Sequence, residues 1–159
     1  MDITPILTAP TAIQFHVIAA MIAVIAGPVA LWRRRRDRLH RYTGYGFVIG
    51  MLVAAISAMF IHEIRVFGPF SPIHLFVPLT FWGLWRGVTT IRAGNVAAHK
   101  AGMRNLFHYG LGIPLVLSFI PGRTMNDILF AAAPNAGFAA VVMSATVFVI
   151  MKNRKATMS

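Results

Sequence analysis

The chain has 159 residues, 57% of them hydrophobic and only 12% charged, yet fifteen Lys+Arg stand against four Asp+Glu, a formal charge of +11, at a mean hydropathy of +0.69. So basic a balance often meets a polyanion, but soluble nucleic-acid binders are far less apolar, and no aromatic-basic interleaving or groove-reading motif accompanies the cations. Nucleic acid is therefore excluded as the partner. With no cysteine in the chain, disulfides, thiolate metal clusters, iron–sulfur centres and covalent c-type haem attachment are excluded as well.

The N-terminal "MDITPILTAPT" has no basic residue ahead of the apolar run that follows, so that run reads as a retained helix and not as a cleaved signal. Thr11 to Trp32 carries no formal charge over 22 positions, and at about 1.5 Å per residue this is enough to cross a hydrocarbon core of about 30 Å. Next comes "RRRRDRLHR", six arginines in nine positions. A second apolar stretch runs from Tyr45 to Ile64, and a third from Ile73 to Ile91, with Arg86 close enough to its end to snorkel to the surface. The fourth, Arg104 to Ile120, is short and holds Gly110, Gly112 and Pro114, so it reads either as a span or as a re-entrant segment. The fifth, Ile128 to Met151, carries no charge. The expected fold is an all-α, single-domain, polytopic transmembrane helical bundle with spans about 11–32, 45–64, 73–91, 104–120 and 128–151.

Charge placement orients it. With five spans the arginine run, the loop from Arg92 to Arg104 and the tail Lys152 to Lys155 fall on one side, and the other side receives only Arg65 and Arg123 among the cations. Positively charged loops stay cytoplasmic, which puts the N-terminus out, the C-terminus in, and the arginines against anionic lipid headgroups of the inner leaflet.

Small residues recur every four positions at Ala19, Ala23 and Gly27, and again at Gly46, Gly50, Ala54 and Ala58. In lipid such stripes let helices approach closely; a second reading is that they leave room for a flat cofactor.

Topology sorts the six histidines into two layers. His16, His62 and His74 fall on the outer side, roughly 8, 11 and 13 Å above the midplane at about 1.5 Å per residue. His108 falls on the inner side one turn after Arg104, with His40 and His99 expected in the two cytoplasmic loops. Ionisable residues at membrane depth are costly and face the bundle interior, and imidazole ligates iron, copper or zinc, or relays protons. A b-type haem needs facing imidazoles, small neighbours and cations for its propionates; His16 with His62 or His74, the small-residue stripes, and Arg65 or Arg123 are the candidates. Beside His40 stands Arg41 and beside His99 stands Lys100, so with Arg104 and His108 the inner layer suits an anionic headgroup or a quinone oxygen better than a metal. The alternative for each layer is bland: interfacial histidines that only hydrogen-bond to nearby backbone. "HEIRV" is not a helical zinc-protease motif, and the four carboxylates lie in different segments, which argues against soluble-type acid/base chemistry.

"LHRYTGYGFVIGM", Leu39 to Met51, after a helix ending "AGPVALW", resembles the opening of a bacterial membrane-protein family filed as domain of unknown function 2306, with His40, Arg41 and Gly44 at the matching places. "AHKAGMRNLFH", Ala98 to His108, is similar to its second signature through His99 and Met103, although Arg104 here follows the methionine directly. The resemblance implies a multi-span bundle with polar groups on the cytoplasmic side, and no activity. The leading expectation is thus a bacterial inner-membrane protein binding haem b or a quinone, as a membrane electron-transfer subunit if it is an enzyme. The rivals are a copper or zinc carrier using His16, His62 and His74, and a non-catalytic accessory subunit docked on another membrane protein or on its own copy.

Overall fold

A computed structural model describes residues 4–61, 72–130 and 132–157, and among these there is no strand. The helices are α1 Thr4–Leu7, α2 Thr11–Trp32, α3 Arg38–Ala58, α4 Phe76–Arg92 after a 3₁₀ turn Pro72–Leu75, α5 Val96–Asn105, a π-helical segment Leu106–Gly112, α6 Ile113–Leu117, α7 Thr124–Phe130 and α8 Pro134–Thr157. The all-helical class is as expected. Among the described residues α2 alone is long and apolar enough by itself to cross a membrane, at a mean hydropathy of 2.1, while α7 and residues Pro134–Ser144 meet the same test only together and across a bend of 102°.

Several expected boundaries are corrected, each for a local reason. The second helix begins at Arg38 and not near Tyr45, because Asp37 caps it: the carboxylate accepts the His40 N–H at 3.1 Å. Arg33 secures that cap by donating Nε–H to Asp37 Oδ1 at 2.7 Å and a second guanidinium N–H to Oδ2. The helix of the fourth segment begins at Val96, well ahead of Arg104, behind an Asn95 cap that accepts the Ala98 N–H at 3.0 Å. Gly94, at φ +74°, makes the left-handed turn that ends α4 just before it. The fifth segment is broken: α8 starts on Pro134, which has no N–H to donate and whose fixed φ suits the first helical position.

The chain forms two compact units, residues 9–114 and residues 1–8 with 115–159. In the first, α2 and α3 run antiparallel along the small-residue stripes. A Cβ on Gly50 would lie 2.8 Å from the Ala19 carbonyl oxygen and 3.1 Å from the Ala23 nitrogen, so here backbone meets backbone. The α4–α5 hairpin closes differently, with Gly83 and Gly87 receiving the side chains of Leu106 and Met103. Phe107 joins the two hairpins by filling the space beside Gly27 and packing on Phe47, their rings 6.1 Å apart. Ala23, Phe47, Met51, Leu84, Met103, Leu106 and Leu111 make one buried cluster.

The distribution of size is the reverse of a water-soluble bundle. Ala23 is 0% exposed while Ile25, two positions on, is 63% exposed. Phe15, Ile18, Ile22, Ile25 and Val29 line the open side of α2, and Tyr45, Ile49, Leu52 and Ile56 that of α3. Water would drive such side chains inward, whereas lipid is as apolar as they are and leaves close packing of small residues to hold the helices.

In the other unit the side chain of Asn126 is fully buried and ties the turn before α7 to the start of α8, its amide donating to the carbonyls of Phe119 at 2.7 Å and Pro134 at 3.0 Å. Phe119 packs edge-on against Phe130, and Phe130 covers Gly137.

Candidate functional site

His16 lies half-buried on α2 and reaches across to α3, where its Nδ1 is 2.9 Å from the Ala54 carbonyl oxygen and 3.3 Å from Ser57 Oγ. A carbonyl only accepts, so Nδ1 carries the proton and donates it. Ser57 stays in place because its hydroxyl donates to the Val53 carbonyl at 2.7 Å. The Ala54 end of the seam is therefore polar on both helices.

The other two bridging histidines are not in loops as expected. His40 sits in the first turn of α3, and its Nδ1 donates to the Ala30 carbonyl in the last turn of α2 at 3.0 Å. His99 sits in the first turn of α5 and donates Nδ1–H to the Gly87 carbonyl of α4 at 2.8 Å. The same device thus closes both hairpins: an Asp or Asn cap starts the returning helix, and a histidine within its first turn reaches back to a carbonyl of the helix before. Ala30 stands where a helix runs out of N–H donors, whereas the Gly87 carbonyl also accepts the Thr90 hydroxyl at 3.0 Å.

Nδ1 is a protonated nitrogen in all three rings, so in the neutral imidazole the lone pair is on Nε2. An imidazole oriented by an Nδ1–H bond to a carbonyl, with Nε2 left as the donor atom, is the arrangement metal-ligating histidines adopt. His16 and the carbonyl that receives His40 are fourteen positions apart on α2, about 21 Å at 1.5 Å per residue. The two anchored levels are therefore well separated along the bundle.

His74 lies half-buried in the 3₁₀ turn ahead of α4. His108, on the π-helical segment, stands edge-on to Trp32 with ring centroids 6.0 Å apart. Arg41 and Arg104 are exposed, and Arg123 is half-buried in the turn before α7, in the other unit. His62 and Arg65 lie outside the described residues. Among the described residues no three metal-ligating side chains come together. The reading of the small-residue stripes as room for a flat cofactor is corrected at Gly27 and Gly50, where the space is occupied by Phe107 and by the α2 backbone.

Sequence reasoning missed the anchoring groups, the carbonyls of Ala30, Ala54 and Gly87, because a main-chain acceptor leaves no trace in the residue types. It also missed Trp32, whose place beside His108 follows from packing.

The end of the first unit where α2 turns into α3 and α4 into α5 is strongly cationic. Arg33, Arg34, Arg35, Arg36, Arg38, Arg41, Arg86, Arg92, Lys100 and Arg104 gather toward it, against Asp37 as the only carboxylate of that unit among the described residues. Of the chain's three tryptophans and three tyrosines, Trp32, Tyr42, Tyr45 and Trp85 lie in the half of their helices nearest this end, Trp82 and Tyr109 stand closer to mid-helix, and each is exposed. Tryptophan and tyrosine collect where hydrocarbon meets headgroups, and cations collect just beyond. An inside-out apolar bundle with an aromatic belt and a cationic end is the architecture of a helical membrane protein.

The family comparison agrees: the family model DUF2306, described as a predicted membrane protein, matches residues 13–151. The chain belongs to this family, a domain of unknown function. No curated protein and no solved structure matches it.

Proposed function

We propose that this is a multi-pass protein of a bacterial inner membrane, crossing five times with its N-terminus out and C-terminus in, that binds a redox cofactor, a b-type haem or a quinone, through its histidine levels. The topology is supported by the cationic, aromatic-belted end, which positive-inside placement assigns to the cytoplasm. The cofactor reading rests on one observation, the Nδ1 anchoring of His16, His40 and His99 to main-chain carbonyls of neighbouring helices. That arrangement orients each ring and leaves Nε2 as a ligand atom or hydrogen-bond acceptor.

The donor chemistry fits a haem iron, which accepts neutral imidazole nitrogen. His16 is the anchored residue of the outer level, with His62 or His74 as the second ligand and Arg65 as a cation for the propionates. The filled stripe between α2 and α3 puts any such group on the flank of that seam and not within it. A haem bound there would supply one-electron chemistry; the chain's own part is to hold the imidazoles in one tautomer, exclude water with the apolar helices, and place the two levels about 21 Å apart along α2. His40 and His99 make the inner level, where a quinone oxygen would find imidazole and cation together.

The direct test is chemical analysis of the full chain purified in mild detergent from a haem-sufficient host. Near-stoichiometric protohaem in the pyridine haemochrome assay, or a quinone in the organic extract, is the expected result. Folded protein with neither would sink this reading and leave an accessory role in the membrane.

A further inference from the structure

Lys100, Arg104 and His108 follow one another at intervals of four along α5 and the π-helical segment, and residues four apart on a helix stand one above the other on one face. The contact between His108 and Trp32 identifies which face: it is turned to the C-terminal end of α2. Phe107, the neighbouring residue, is packed against Gly27 and meets Trp32 edge-on at 5.6 Å, which fixes the same side. Arg104 and Lys100 therefore continue the line one and two turns further toward the cationic end. Lys100 and Arg104 are exposed, and the described carboxylate at this end, Asp37, is already engaged by Arg33.

We propose that this flank is a binding site for the phosphate headgroup of an anionic phospholipid. Lys100 and Arg104 supply the charge, Trp32 marks the interfacial depth, and the open apolar side of α2, at Val29 and Ile25, takes the acyl chain. Three features select a lipid. The cations are exposed beyond the contact of two helices, and basic sites between helices on the cytoplasmic side are where headgroups bind helical membrane proteins. An indole sits at the level where headgroup gives way to hydrocarbon. The surface continuing away from the cations is apolar and exposed, which a soluble anion would not use. The site rests on the membrane placement of the bundle and is independent of whether the histidines hold a redox group.

The test is native mass spectrometry of the full chain in detergent, titrated with phosphatidylglycerol, with phosphatidylcholine and with inorganic phosphate. Wild type, Lys100→Gln/Arg104→Gln and Arg86→Gln/Arg92→Gln are compared; the last removes the same charge from the same end, but on α4. The site predicts that phosphatidylglycerol is retained over phosphatidylcholine, that the α5 double variant weakens it about tenfold, and that the α4 double variant changes it less than about threefold, since charge-assisted contacts count and distant charge is screened. Equal weakening by both double variants would overturn the site in favour of diffuse attraction, and equal retention of the two lipids would overturn its anion selectivity. Competition by inorganic phosphate at the lipid's own concentration would assign the cations to a free anion instead. All four positions are exposed, and unchanged helical circular dichroism confirms that a loss of binding is not a loss of fold.

Discussion

The two hairpins of the first unit close with the same latch and seal with different seams. In α2–α3 a capping aspartate and His40 fix the turn, and the helices then touch backbone to backbone through Gly50, Ala19 and Ala23. In α4–α5 a capping asparagine and His99 do the same work, but the glycines of α4 receive the flexible ends of Leu106 and Met103. A seam of backbone cannot yield to added volume, whereas a seam of side-chain tips can turn a rotamer. The first hairpin is therefore the rigid one, and it carries His16.

The sharpest way to break this comparison is to add one methyl to each seam. Gly50→Ala drives a Cβ against the Ala19 carbonyl oxygen at 2.8 Å, and overpacking of this kind costs about 1–3 kcal/mol. Gly87→Ala, which displaces only the end of Met103, is expected to cost clearly less. Thermal unfolding of both variants in the same detergent checks the order; equal shifts would erase the distinction between the seams.

A smaller difference separates the latches. His40→Ala leaves the Ala30 carbonyl, at the end of α2, without its partner, a loss of about 1–3 kcal/mol for a buried acceptor. His99→Ala costs less, because the Gly87 carbonyl keeps the Thr90 hydroxyl at 3.0 Å. Hydrogen exchange at the first turns of α3 and α5 reads this directly, with the larger gain in exchange expected at α3.

The smallest difference is in the caps. Asn95→Ala removes a cap worth about 1 kcal/mol, and its effect is independent of pH. Asp37 differs because Arg33 holds its carboxyl well below the usual carboxylate range through two hydrogen bonds, with the His40 N–H adding to the effect. A depressed carboxylate stabilises fully above its unfolded value of about 3.9 and loses that contribution as pH falls through its lower folded value. Acid below about pH 4 should thus weaken the α2–α3 turn and not the α4–α5 turn, and Asp37→Asn should abolish the contrast.

Much of this architecture is legible in the residues. The uncharged run of α2, the small-residue stripes and the cation placement all point to packed helices in lipid, and the His40–Arg41 signature lies at a hairpin turn. The start of α3 is also legible, since an aspartate ahead of an apolar run is an N-cap signal, although the surrounding arginines mask it; Asn95 likewise carries a cap signal ahead of α5. What no residue type encodes is helix rotation. Whether His16 meets Ala54 or lipid depends on a seam set by Gly50, and a main-chain carbonyl looks the same in every sequence. The π-helical turn at Leu106–Gly112, which sets His108 beside Trp32, likewise has no pattern of its own.

The anchored imidazole of the rigid hairpin is tested most directly by a reduced-minus-oxidised visible spectrum of wild type beside His16→Ala. A sharp b-type band in wild type that is lost or shifted in His16→Ala, with helical content unchanged, is the predicted result. A flat wild-type spectrum, or a band that survives the substitution intact, would contradict His16 as a haem ligand.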